Sequence, residues 1–150
     1  MKKYLVIGNP ISHSLSPELH NFWLKKYNIN AIYVKKKLNS NDIKNLVKKI
    51  KNKEIAGANV TVPFKKKVIP YLDELTNEAK KTQSVNTIYL KNNETVGHNT
   101  DIEGFEESIR YSKFDVSGKN VMILGAGGVV SSIIFALKNM GALNITISNR

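Results

Sequence analysis

Lys65 stands in Gly57-Ala58-Asn59-Val60-Thr61-Val62-Pro63-Phe64-Lys65, where a short apolar strand runs through a proline into a predicted helix. The first turn of a helix carries partial positive charge, so a cation there works against the dipole and gains nothing in stability. The same field eases loss of its proton and aims the ammonium beyond the strand end, which suits proton transfer to an oxygen. Lys65-Lys66-Lys67 also reads as a solvated run, so neighbouring chemistry has to single out the first lysine. Asp101, in the first turn of another predicted helix, is favoured by the dipole whatever its function. Beside Lys65, its carboxylate would also orient the ammonium and bind a substrate hydroxyl. Ser14 and Ser16 alternate in an extended segment before a helix, so both hydroxyls can face one side and suit a carboxylate. The plainer role for Ser16 is the N-cap of that helix.

A second kind of site lies further on. Gly125-Ala126-Gly127-Gly128-Val129 separates an apolar strand from a helix, the arrangement that lets backbone amides and a helix N-terminus receive a pyrophosphate. Val130 takes the third small-residue position of the usual fingerprint, a departure that loosens the expected helix–strand packing. The next strand ends in Ser148-Asn149-Arg150, with no carboxylate for a ribose hydroxyl and a guanidinium for a 2′-phosphate, so NADP is the expected cofactor. His13, His20 and His98 have no metal-ligand spacing, and the chain has no cysteine, which excludes a thiol nucleophile.

These residues need elements to hold them. Strands are expected over 3–8, 31–34 and 55–62, with helices from Pro17 to about Tyr27 and from about Asn41 to Lys51. Ile43, Leu46, Val47 and Ile50 make the apolar face of the second helix. Phe64 to Leu72 and Thr76 to Lys81 read as further helices. Val85–Leu90 and Thr95–His98 flank Lys91-Asn92-Asn93-Glu94, which has hairpin chemistry. A capping box of Thr100 and Glu103 starts a helix reaching about Tyr111. A strand over 120–124, a helix to about Met140 capped by Gly141, and a strand over 143–148 make one βαβ unit. The fold class is α/β: a three-layer domain with a mixed, mostly parallel sheet, then the first βαβ of a truncated Rossmann domain.

The 150 residues carry a formal charge of +11, nearly all from lysine scattered over predicted helix faces, with arginine only at 110 and 150. No basic stripe interleaves with aromatics, which argues against nucleic acid; no long apolar span argues for a membrane. The absence of cysteine and of a signal segment suits a cytoplasmic chain.

Ser14-Leu15-Ser16-Pro17, the Lys65 segment, Ser84-Val85-Asn86-Thr87 and Asn99-Thr100-Asp101 agree in order and spacing with shikimate dehydrogenase, which the chain resembles from Ile7 to Arg150. The resemblance implies NADPH-dependent, reversible reduction of 3-dehydroshikimate to shikimate, a step of chorismate and aromatic amino-acid biosynthesis. It assigns catalysis to the Lys65/Asp101 pair, the substrate carboxylate to Ser14 and Ser16, and the ring hydroxyls to Asn59, Thr61 and Asn86. It places the 2′-phosphate on Asn149 and Arg150. Residues 1–100 would be the shikimate-binding catalytic domain, 101–118 a connecting helix and linker, and 119–150 the opening of the NADP-binding domain. The expected partner is a small molecule, neither nucleic acid nor membrane, and the protein a monomer or homodimer. The family's chain later contributes a further helix and a glutamine to the substrate site, so the 150-residue chain alone is expected to be an inactive fragment. A quinate/shikimate dehydrogenase is the near alternative, and a non-catalytic shikimate-binding fragment the distant one.

Overall fold

A computed structural model describes residues 1–150. In chain order the elements are β1 (Lys2–Gly8), α1 (Ser16–Lys26), β2 (Ala31–Lys37), α2 (Ile43–Lys51), β3 (Gly57–Val60), β4 (Glu74–Leu75), α3 (Asn77–Thr82), β5 (Thr87–Lys91), β6 (Glu94–His98), α4 (Asp101–Tyr111), β7 (Asn120–Leu124), α5 (Val130–Asn139) and β8 (Asn144–Ser148). Six strands form one sheet in the order β2-β1-β3-β5-β6-β4, and β7 pairs with β8 in a second. β1 runs parallel to β2 and β3, and β4 parallel to β6, whereas β5 is antiparallel to both β3 and β6. The sheet is mixed and mostly parallel, as the sequence implies.

β1 is apolar on consecutive positions because both faces of the sheet are covered. Leu5 and Ile7 point into the main core with Ile43, Leu46, Val47 and Ile50 of α2. Val6 points the other way, to Ile11 and Tyr33, with Leu24 of α1 packed alongside. Each fully buried aliphatic of α2 is worth about 1.5–3 kcal/mol in apolar burial. A Leu46→Ala cavity would cost about 2–5 kcal/mol. No helix is long and apolar enough to cross a membrane.

Four local expectations need correction. Residues 64–72 form turns and a 3-10 segment at Ile69–Tyr71, not an α-helix. Phe64 and Val68 are buried at i, i+4, which mimics a helical face, but Pro70 lacks the N–H that would continue a helix. Ser16 is the first residue of α1 and not its cap, which is Leu15. The Thr100/Glu103 capping box does not form either, because Asn86 takes the Thr100 hydroxyl. Finally, β4 was not expected. Only two residues long, it is fixed by Asp73, whose carboxylate accepts from the Thr95 backbone and hydroxyl, each at 2.8 Å. The hairpin agrees with its sequence, since Asn92 and Asn93 both adopt positive φ, at 51° and 65°.

Candidate active site

Strand direction gathers the polar clusters at one edge. β1 and β3 are parallel, so the segments that follow them, Ser14–Ser16 and Thr61–Lys65, emerge together. β5 is antiparallel to β3, so its start, Asn86-Thr87, reaches the same edge, and the end of β6 brings Asn99–Asp101 there as well. Close approach of the first two segments requires Gly8. A Cβ there would lie 2.7 Å from Thr61 Cγ2 and 3.1 Å from the Val62 carbonyl oxygen.

Lys65 and Asp101 meet at this edge. Lys65 Nζ donates to Asp101 Oδ2 at 2.6 Å, with side chains 16% and 22% exposed. The other carboxylate oxygen accepts from Asn86 Nδ2 at 2.8 Å, and the Asp101 N–H donates to Asn99 Oδ1 at 3.0 Å. Asn86 Oδ1 accepts the Thr100 N–H at 2.9 Å, which fixes its amide with the nitrogen toward Asp101. With no α-helix at residue 65, the dipole argument for Lys65 fails, and Asp101 is what orients the ammonium. Lys66 and Lys67 are exposed, and Lys67 Nζ turns away to Ser40 Oγ at 3.3 Å.

Asn59, like Asn86, has its side-chain amide committed within the chain. Its Oδ1 accepts from Tyr33 Oη at 2.7 Å, and its Nδ2 donates to the Asn86 carbonyl at 3.3 Å and to Thr87 Oγ1 at 3.1 Å. Both amide hydrogens are therefore used inside the chain, so Asn59 orients the Asn86-Thr87 segment. Sequence reasoning missed Tyr33, a buried phenol whose pKa burial pushes up to about 12, keeping it a hydrogen-bond donor. Its ring stacks on His20, centroids 4.2 Å apart, and burial lowers the His20 pKa. His98 is likewise occupied, bonded to Thr76 Oγ1 at 3.0 Å.

Ser14 and Ser16 lie together as expected, with Oγ atoms 3.2 Å apart and the Ser16 N–H donating to Ser14 Oγ at 3.3 Å. The missed partner is Lys35, whose Nζ donates to the Ser12 carbonyl at 2.6 Å and to that of Ser14 at 3.4 Å. It pins the serine loop and adds positive charge beside it, which an anionic ligand would favour. Only three-dimensional pairing reveals this role, since Lys35 sits opposite Val6 in the β1–β2 register.

The glycine loop lines a cleft that reaches Lys65. Gly125 has φ +106°, a conformation that glycine alone adopts easily, and its N–H donates to the Ser148 carbonyl at 2.7 Å. Space in front of Gly125 and Gly127 is open, and α5 begins directly after the loop at Val130, whose N–H donates to the Gly127 carbonyl at 3.1 Å. Lys65 and Lys66 line a cleft of about 390 Å³ opposite Ala126, Gly127 and Gly128. A second hollow, about 500 Å³, is lined by Gly125, Ser148, Asn149 and Arg150 at the ends of β7 and β8. An open loop at a helix start, followed by a cationic hollow, fits a phosphorylated dinucleotide.

Residues 6–88 match the family described as the shikimate dehydrogenase substrate binding domain, more than half of the chain. A curated NADP(+) shikimate dehydrogenase of Pelagibacter ubique is 56% identical over 149 residues, covering 99% of this chain and 56% of that protein. Among solved structures, a shikimate dehydrogenase in complex with NADP+ superimposes with a TM-score of 0.93 at 35% identity, covering 100% of this chain and 52% of that one. The Thermus thermophilus enzyme in complex with shikimate gives 0.90 at 30% identity, covering 100% and 57%. The chain spans about half the length of the curated relatives it matches. With its family matched over most of the first sheet and its fold shared throughout, the chain belongs to the shikimate dehydrogenase family.

Proposed function

We propose that the whole protein is a cytoplasmic NADP-dependent shikimate dehydrogenase that interconverts 3-dehydroshikimate and shikimate. The observation that carries this reading is a single cleft with Lys65 of the Lys65–Asp101 pair on one wall and Gly127 and Gly128 on the other. When bound, NADPH supplies the hydride. Gly125, Ala126, Gly127, Gly128 and Val129 would hold its pyrophosphate, with Asn149 and Arg150 at its 2′-phosphate.

Lys65 Nζ donates a proton to the carbonyl oxygen that becomes the hydroxyl, and recovers it in the reverse direction. Asp101 steers the ammonium and accepts from a substrate hydroxyl. Ser14 and Ser16 take the carboxylate, supported by Lys35 behind their loop; Thr61 and Asn86 meet ring hydroxyls, and Asn59 acts by orienting Asn86 and Thr87. Residues 1–100 form the catalytic unit, 101–118 the connection and 119–150 the opening of the cofactor unit, consistent with the two separate sheets.

A panel of shikimate and quinate, each with NADP+ and NAD+, tests the reading on the whole protein. The expected result is oxidation of shikimate with NADP+ well above the other combinations. Comparable quinate turnover would make the protein a quinate/shikimate dehydrogenase, and no oxidation of either would refute the proposal.

A further inference from the structure

Asn99 sits between β6 and α4, 1% exposed, and its side chain ties three elements together. The Asp101 N–H can only donate, so Asn99 Oδ1 must face α4, where the distance is 3.0 Å. The amide nitrogen then faces α3 and α5, donating to Thr82 Oγ1 at 3.0 Å and to Ser132 Oγ at 2.8 Å. Thr82 passes its own proton to the Glu78 carbonyl at 2.7 Å, which leaves its oxygen as the acceptor for Asn99. Ser132 is 0% exposed and lies in the first turn of α5, the helix that begins at the glycine loop. One buried amide with both hydrogens committed therefore joins the start of the glycine-loop helix to the backbone of Asp101, whose carboxylate holds Lys65.

We propose that Ser132 and Asn99 form the link that couples dinucleotide binding at the glycine loop to substrate binding at the Lys65–Asp101 pair, with Asn99 a positioning residue. The proposal rests on the functional reading given above. Dinucleotide phosphates at the start of α5 order its first turn, and Ser132 hands that order to Asn99 and so to Asp101. Coupling of this kind is reciprocal, so each ligand tightens the other by the same factor.

Shikimate affinity of the whole protein, measured by calorimetry with and without saturating NADP+, tests the link. The unaltered protein should bind shikimate about fivefold or more tightly when NADP+ is present, the lower end of ordinary coupling between sites. Ser132→Ala should bring that ratio close to one. Thr82→Val removes an equivalent hydrogen bond from the same amide without touching α5, and should keep the ratio. A purely structural role predicts that both substitutions change melting temperature and ratio alike, and that result would overturn the proposal. So would a ratio near one in the unaltered protein, or an unchanged ratio in Ser132→Ala. If the unaltered protein bound neither ligand, the functional reading itself would fall and take the link with it.

Discussion

Replacing Lys65 by alanine removes the ammonium and leaves the Asp101 carboxylate with fewer partners. The carboxylate keeps Asn86 Nδ2 at 2.8 Å and its place in the first turn of α4, so the fold should survive. The lost charged hydrogen bond is worth about 1.5–3 kcal/mol, and partial exposure of both side chains puts the expected cost toward the lower end. Catalysis should suffer more. Losing a positioned proton donor lowers turnover about 10²–10⁴-fold, which is about 3–5 kcal/mol at the transition state. The comparison with Lys66→Ala and Lys67→Ala is what makes the test sharp, because those ammonium groups are exposed and neither pairs with Asp101. NADPH oxidation dependent on 3-dehydroshikimate, followed in the whole protein, should fall by that factor in the first variant and by little in the other two, with melting temperatures recorded in parallel. Equal losses at all three lysines would mean that the run acts through charge alone, and the assignment of Lys65 as proton donor would be wrong.

Two further outcomes follow from other parts of the structure. Arg150→Ala should weaken NADPH by about tenfold or more, the loss of a charge-assisted bond, and leave NADH nearly unchanged, since NADH has no 2′-phosphate; steady-state comparison of the two cofactors reads this directly, and equal weakening would make Arg150 structural. Asp73, held by Lys51 and then by Thr95, has its pKa lowered to about 2. A depressed carboxylate stabilises the fold fully above its unfolded pKa of about 4, and that contribution is lost as pH falls through about 2. Acid unfolding of Asp73→Asn should therefore show a shallower loss over that window, by no more than about 1 kcal/mol for a pair this exposed, and an unaltered acid limb would show that the Asp73 contacts contribute nothing.

The candidate site was legible in sequence where polar clusters and chain order coincide. Ser14, Ser16, Lys65, Asn86 and Asp101 each lie in a segment that follows or precedes a strand, and parallel and antiparallel strands carry those segments to one edge. Helix α2 was legible because its apolar residues repeat at helical spacing and all four are buried. Residues 64–72 were misread because Phe64 and Val68 show the same spacing without a helix, the chain being held by turns on either side of Pro70. Lys35 and Tyr33 were invisible for another reason. Their partners, the Ser12 and Ser14 carbonyls and the Asn59 amide, are distant in sequence, and strand register alone brings them within reach. The buried Asn99–Ser132 bond joins the end of β6 to α5, between the two strands of the second sheet in sequence, and has no local signal at all.

The most direct test of the account is titration of the whole protein with shikimate by calorimetry, in unaltered, Ser16→Ala and Asp101→Asn forms. Saturable binding is expected in the unaltered protein. Each substitution should weaken it about tenfold or more, because each removes a hydrogen bond in which ligand or protein is charged. Shikimate binding that neither substitution disturbs would contradict this assignment of the site.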